Sequence, residues 1–153
     1  MMEKKTPDPS LVRRLVPEIG WEQLKKDANG LVPCIIQDAD NGQVLMMGWT
    51  DEAGFAETLA TGVMTYWSRS RRERWCKGET SGHFQYVRSI TADCDFDTLL
   101  VEAVQVGAAC HTGHRSCFFN AVEGEVPFSG DSSPEDRENQ ISAAEQSERK
   151  KTP

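Results

Sequence analysis

The segment LVPCIIQDADNGQVLMMGW, residues 31–49, decides the fold class of this chain. Residues 31–38 and 43–49 are apolar runs of the length and composition typical of β-strands. Between them lies Asp40-Asn41-Gly42, and an Asn-Gly pair favours the type I′ turn that joins two antiparallel strands. The segment therefore predicts a β-hairpin near the start of the folded region.

The residues after this hairpin predict one short helix and several further strands. Thr50 is a candidate N-cap and Gly62 a candidate C-terminal stop, so we expect a helix over residues 51–60. Residues 21–26 could form a second. Further strands are expected at residues 63–68, 84–95, 98–106 and 117–122. This pattern predicts a β-rich α+β domain, built on a folded mixed sheet or a pseudobarrel with one or two short helices.

The two ends of the chain lack the pattern of the middle. Residues 129–153 carry Ile141 as their only large apolar side chain. So little apolar surface cannot offset the entropy of ordering, and we expect a disordered C-terminal tail. Residues 1–16 are weakly patterned and are expected to form a flexible N-terminal segment. The remaining residues, 17–128, are enough for one compact domain.

Charge and cysteine content narrow the function classes. The chain has 153 residues, and its 17 Lys and Arg against 24 Asp and Glu give a net charge of −7. Such a chain lacks the positive field that non-specific nucleic-acid binding needs. Its apolar runs are too short to span a membrane, and its first residues do not resemble a signal peptide. The five cysteines are therefore expected to be reduced thiols of a cytoplasmic protein.

Three carboxylates come close together in the segment Asp93-Cys94-Asp95-Phe96-Asp97. In an extended chain, side chains alternate between faces, so the three aspartates would share one face, opposite Cys94. Carboxylates that repel one another on one face would bind a hard cation such as Mg²⁺ or Mn²⁺. A solvated acidic turn is the alternative interpretation.

Residues 110–117 carry two thiols and two imidazoles, which are the usual ligands of zinc. Together with Cys94, the thiols of Cys110 and Cys117 make a set of three. Three protein ligands leave a fourth position for water, as in catalytic zinc sites, whereas a closed structural site would also use His111 or His114. The spacing alone favours the closed site.

Positive charge is concentrated in residues 68–74, which contain four arginines, and a glycine-rich stretch follows over residues 77–83. Arginine forks, hydroxyls and exposed backbone N–H groups bind phosphate well. A charged hairpin loop in water is the alternative, and the pattern matches neither a P-loop nor a dinucleotide fingerprint.

Four motifs then stand in order, namely YWSRSR at residues 66–71, WCKGETSGH at 75–83, DCDFDTLL at 93–100 and ACHTGHRSCF at 109–118. Together they resemble the phosphoribosyl-AMP cyclohydrolase family of histidine biosynthesis, over about residues 30–119. The resemblance implies an intertwined homodimer that acts on a phosphoribosyl nucleotide, with no nucleic-acid or membrane partner. In many relatives a pyrophosphohydrolase domain follows the cyclohydrolase domain. In this sequence only the C-terminal tail follows it, so we expect a single activity.

The resemblance also assigns roles to individual residues. By matching position, Cys94, Cys110 and Cys117 would bind zinc in an open site with ligands from both subunits, and Asp93, Asp95 and Asp97 would bind magnesium. The candidate proton-transfer groups are His111 and His83, and the candidates for binding the two phosphates are Arg69, Arg71 and Lys77.

The implied reaction is hydrolytic opening of the N1–C6 bond of 1-(5-phosphoribosyl)-AMP, with zinc-bound hydroxide as nucleophile. The product is a phosphoribosyl-formimino imidazole carboxamide ribotide. The chain departs from the family at Gly48-Trp49-Thr50, Arg74 and Cys76, none of which is an implied ligand. Two other classes are a zinc-stabilised binding module and a zinc base deaminase, but the deaminase His-x-Glu and Pro-Cys-x-x-Cys motifs are absent.

Overall fold

The computed structural model describes residues 3–128, which form two sheets and one α-helix. In chain order the elements are β1 (Val32–Asp38), β2 (Val44–Thr50), α1 (Glu52–Thr61), β3 (Thr65–Ser68), β4 (Glu73–Cys76), β5 (Gln85–Ala92) and β6 (Leu99–Gln105). A single 3-10 turn over Trp21–Gln23 precedes β1 and takes the place of the possible second helix. The strands form a four-stranded sheet in the order β2-β1-β6-β5 and a separate β3-β4 hairpin.

The predicted hairpin of residues 31–49 is confirmed as the pair β1 and β2, with Ile35 opposite Met47. Along β1 the side chains alternate strictly between buried and half-buried, with Val32 and Asp38 both on the buried face. β1 pairs in parallel with β6 and in antiparallel with β2, so the sheet is mixed, as predicted. Because β2 and β5 are both edge strands, the sheet is open and the pseudobarrel alternative is wrong.

The helix predicted over residues 51–60 is confirmed, but its N-cap is Asp51 and not Thr50. The Asp51 carboxylate accepts a hydrogen bond of 2.8 Å from the Gly54 N–H. Thr50 is the buried last residue of β2, and its hydroxyl lies 3.2 Å from the Thr65 carbonyl oxygen. Gly62 ends the helix with φ of 73°, a left-handed conformation that glycine adopts without a steric penalty.

Three strand predictions differ from the structure. The strand predicted over 84–95 ends at Ala92, and residues 93–98 form a turn in which the Asp93 N–H donates to the Thr98 carbonyl at 3.0 Å. The segment that forms β4 was not predicted as a strand. Residues 117–122 form no strand, although the Cys117 N–H donates to the carbonyl oxygen of Leu45 in β2 at 2.7 Å.

One main hydrophobic core lies between the buried face of the large sheet, α1 and the β3-β4 hairpin. Residues 3–16 form no helix or strand, but the N–H groups of Arg13 and Leu15 donate to the carbonyls of Thr61 and Leu59 at 3.2 and 2.7 Å. The division into residues 1–16, 17–128 and 129–153 stays a prediction, and the last range lies outside the described residues. Among residues 3–128, no helix is long and apolar enough to cross a membrane.

Candidate active site

A cavity of about 870 Å³ lies where the β3-β4 hairpin, the glycine-rich stretch and the Cys110–Cys117 loop meet. Six of the predicted site residues line it, namely Arg71, Lys77, His83, Cys110, His111 and Cys117. The five that are not in its lining are Arg69, Asp93, Cys94, Asp95 and Asp97. The fold therefore brings the thiol loop next to the basic and glycine-rich stretches, from which β5 and β6 separate it in the sequence.

A tight loop places two of the thiols that line the cavity, those of Cys110 and Cys117, side by side. The Ala109 N–H donates to the Arg115 carbonyl at 3.0 Å, and the Cys110 N–H donates to the His114 carbonyl at 3.1 Å. These two bonds return the chain so that Cys117 lies against Cys110. Burial, followed by the charge of the neighbouring Cys110 and the hydrogen bond with it, raises the pKa of Cys117 to about 12. A thiophilic cation such as zinc would relieve this penalty, because it binds the thiolate form.

Lys77 brings a positive charge to the same place. Its ammonium group donates to the carbonyl oxygen of Ala109, the residue before Cys110, and lies 5.5 Å from the centre of the Trp75 ring. Burial lowers the pKa of Lys77, whereas negative charge on Cys117 and Cys110 would raise it. The ammonium group therefore lies close to the thiols, where it can compensate thiolate charge.

The two histidines of the cavity differ in how firmly they are held. The ring of His83 packs directly on the backbone of Gly107, where an added Cβ would lie 2.6 Å from the imidazole Cδ2. Gly107 also has φ of 65°, so both the close contact with His83 and the backbone conformation require glycine there. His111 is exposed at the cavity rim. The cavity thus presents one packed and one accessible imidazole.

The three aspartates do cluster, with one carboxylate oxygen of each lying within 4.8 Å of the others. They do so in the turn between β5 and β6, where Phe96 has φ of 63°. The aspartates and Cys94 therefore do not lie on opposite faces of one extended strand, and that prediction is wrong. The cluster is instead gathered by the turn, and its oxygens suit a hard cation.

Hydrogen bonds within this turn give the carboxylates different proton affinities. Desolvation acts to raise the pKa of Asp93, but hydrogen bonds from the Asp97 side chain and from the N–H groups of Asp97 and Thr98 lower it below its ordinary value. The hydrogen bond with Asp95, followed by that with Asp93, raises the pKa of Asp97. The two shifts run in opposite directions, so Asp97 takes up a proton at a higher pH than Asp93 does.

Cys94 lies exposed on the same turn. Within residues 3–128, the aspartate triad is the only group of three or more Asp, Glu, His or Cys residues close enough to hold one ion. Cys94 therefore does not join Cys110 and Cys117 in a single chain.

Both arginines predicted to bind phosphate lie in the β3-β4 turn, residues 69–72. The guanidinium of Arg69 stacks on the Trp49 ring, 4.5 Å from its centre. Arg71 lies 3.6 Å from the Glu73 carboxylate, and both of these side chains are largely exposed. Trp49, a departure from the family pattern, thus orients one of the candidate phosphate ligands.

Sequence reasoning missed Asp38, Thr112 and Arg115. The Arg115 guanidinium binds the Asp38 carboxylate at 2.6 Å, and the Thr112 hydroxyl lies 3.0 Å from the Cys110 sulfur. A signal for Asp38 was present in the sequence, because strict alternation along β1 places it on the same face as Cys34 and Ile36. A carboxylate on a buried face needs a cation beside it.

Comparison with known proteins agrees with these motifs. The family model for phosphoribosyl-AMP cyclohydrolase matches residues 46–119. The phosphoribosyl-AMP cyclohydrolase of Streptomyces coelicolor is 60% identical over 104 residues, which cover 68% of this chain and 80% of the relative. The phosphoribosyl-AMP cyclohydrolase of Streptomyces avermitilis is 58% identical over 113 residues, which cover 74% of this chain and 84% of the relative. The phosphoribosyl-AMP cyclohydrolase of Bifidobacterium longum is 54% identical over 110 residues, which cover 69% of this chain and 84% of the relative. With this identity over most of each relative, the chain belongs to the phosphoribosyl-AMP cyclohydrolase family of hydrolases.

Proposed function

We propose that this chain opens the purine ring of 1-(5-phosphoribosyl)-AMP by hydrolysis of the N1–C6 bond, a step of histidine biosynthesis. The observation that carries the proposal is the cavity of about 870 Å³ that gathers the paired thiols of Cys110 and Cys117, two imidazoles and two cationic side chains in a chain of this family. Its size is that of a small-molecule site. A doubly phosphorylated substrate does not cross membranes, so we place the reaction in the cytoplasm.

We propose zinc as the ion at the paired thiols. Cys110 and Cys117 would supply two thiolate ligands, and the adjacent Lys77 ammonium would balance part of their charge. When bound, zinc would lower the pKa of a water molecule and so supply a nucleophile for C6 near neutral pH.

The third ligand would be Cys94 of a second copy, so we propose a homodimer. The support is the separation of the thiols, since Cys94 is exposed on the β5-β6 turn and lies outside the cavity of its own chain. Zinc bound between two chains would also stabilise their association by mass action.

The chain's own groups would handle protons and phosphates. His111, accessible at the rim, would take a proton during the attack on C6, and His83, fixed on Gly107, would hold the purine ring or pass the proton on. Arg69 and Arg71 would counter one phosphate, and Lys77 would contribute from inside the cavity. The aspartate triad would bind magnesium, a second source of positive charge for phosphate.

Ring opening of phosphoribosyl-AMP, followed in the ultraviolet, tests the proposed activity. The chain loaded with zinc and magnesium should turn over, and a chelator should stop it. AMP without the N1 substituent is the matched control and should stay intact, because its ring is less electron-poor at C6. A loaded, folded chain that leaves phosphoribosyl-AMP unchanged would overturn the proposal and favour the binding-module alternative.

A further inference from the structure

A short chain of hydrogen bonds ends on the sulfur of Cys110. The hydroxyl oxygen of Thr112 lies 3.0 Å from Cys110 Sγ and 2.9 Å from Nδ1 of His114. The His114 side chain is buried, with 6% of its surface exposed. Its ring stacks on Phe119 at a centroid distance of 3.7 Å and an interplanar angle of 8°.

The direction of these bonds follows from the donors available. A threonine hydroxyl has one proton to donate, and a metal-bound thiolate can only accept. When Cys110 is a thiolate, Thr112 therefore donates its proton to the sulfur, and its oxygen accepts from an N–H at Nδ1 of His114. The stacked ring of His114 fixes the hydroxyl, and the hydroxyl fixes the side-chain rotamer of Cys110.

We infer that Thr112 and His114 are positioning residues for Cys110 as a metal ligand. This inference rests on the zinc site of the proposed function. Hydrogen bonds to ligating atoms hold them in the geometry that the metal requires, and removing such a partner typically costs about 10- to 100-fold in metal affinity.

Zinc retention against a competing chelator tests the inference without relying on catalysis. Thr112→Val keeps the branched shape and removes the hydroxyl, whereas Thr112→Ser keeps the hydroxyl. We expect Thr112→Val to bind zinc about 10-fold more weakly and Thr112→Ser to stay within about twofold of the parent chain. Thr91→Val, at an exposed threonine of β5 outside the cavity, is the matched control and should change nothing.

A spectroscopic measurement separates positioning from simple folding effects. Cobalt(II) in place of zinc gives a thiolate-to-metal charge-transfer band that responds to the hydrogen bonding of the sulfur. The band should shift in Thr112→Val and in His114→Leu, but not in Thr112→Ser. Because Thr112 is exposed, its variants should remain folded. They therefore test the positioning role even if His114→Leu unfolds.

The outcomes distinguish this inference from the proposed function. If the parent chain retains no zinc, the zinc site and the inference are both overturned. If the parent chain retains zinc, and Thr112→Val binds it equally well with an unshifted cobalt band, the zinc site stands and the positioning role of Thr112 and His114 is wrong.

Discussion

The guanidinium of Arg115 lies 2.6 Å from the carboxylate of Asp38, and these side chains are only 16% and 2% exposed. The same guanidinium donates to the carbonyl oxygens of Gln105 and Gly107, at 3.0 and 2.8 Å. Arg115 belongs to the loop that carries Cys110 and Cys117, whereas its partners lie at the ends of β1 and β6 and just beyond β6. One buried ion pair therefore docks the thiol loop onto the sheet.

The first prediction is that Arg115→Met lowers the free energy of unfolding by about 3–5 kcal/mol, because it leaves the Asp38 carboxylate buried without a cation. Urea denaturation measures this change. The double variant Asp38→Leu with Arg115→Met should lose less free energy of unfolding than Arg115→Met alone, because it leaves no unpaired charge buried. As a control, Arg71→Met breaks the exposed pair with Glu73 and should cost less than about 1 kcal/mol. Equal stability of Arg115→Met and the parent chain would contradict the docking role.

The second prediction concerns magnesium. Asp95→Asn keeps the size of the side chain and removes one charge from a crowded triad, so it should raise the magnesium concentration needed for half-maximal turnover. The metal-free variant should be at least as stable as the parent chain, because repulsion is relieved. Asp40→Asn, at an exposed aspartate of the β1-β2 turn, is the matched control.

Turnover measured over a magnesium titration gives the first effect, and thermal unfolding of the metal-free proteins gives the second. An unchanged magnesium dependence in Asp93→Asn, Asp95→Asn and Asp97→Asn alike would rule out the triad as the binding site.

The fold was predictable where local pattern and tertiary contact agree. The alternation along residues 31–38 and the Asn41-Gly42 turn both require the β1-β2 hairpin, and they were sufficient to place it. β4 was missed because Glu73 and Arg74 are exposed and charged. The segment is a strand because it pairs with β3, where Trp75 lies opposite Tyr66, and such pairing cannot be seen in a local stretch of sequence.

The site was predictable by residue type more than by geometry. The three aspartates were correctly expected to meet, but the left-handed Phe96 that turns them toward one another leaves no mark in the composition. The role of Arg115 depends on a partner that lies 77 positions away in the chain, which no motif spacing contains. The separation of Cys94 from the other two thiols likewise appeared only once the sheet was assembled.

The third prediction is an order of thiol reactivity with pH. Burial raises the pKa of Cys34 to about 12, and burial followed by the charge of Glu79 raises that of Cys76 to about 11. A raised thiol pKa keeps the unreactive protonated form, so at pH 8 the thiolate fraction of Cys34 is on the order of 10⁻⁴. Exposed Cys94 should therefore be alkylated first in the metal-free chain, with Cys34 and Cys76 far slower.

Mass spectrometry after timed iodoacetamide treatment gives this order, and Cys94→Ser should remove the fast phase. Raising the pH towards 11 should accelerate labelling of Cys76 before Cys34. Zinc should protect Cys94 if it binds across two chains, whereas fast labelling of Cys94 in the zinc-loaded protein would contradict the shared site.

The fourth prediction is complementation between two inactive variants. Cys94→Ala and Cys110→Ala should each be inactive, because each homodimer lacks one ligand in both of its zinc sites. In a mixed dimer, one site would combine an intact Cys94 from one chain with intact Cys110 and Cys117 from the other. Mixing the two variants should therefore restore part of the turnover and retain about one zinc per mixed dimer.

As the matched control, Cys110→Ala mixed with Cys117→Ala should stay inactive, because those two thiols come from the same chain. Subunit exchange is followed independently by mass spectrometry of a mass-labelled partner. If the subunits exchange and the Cys94→Ala and Cys110→Ala mixture stays inactive, the zinc site is built within one chain, and Cys94 must reach it by a rearrangement of the β5-β6 turn.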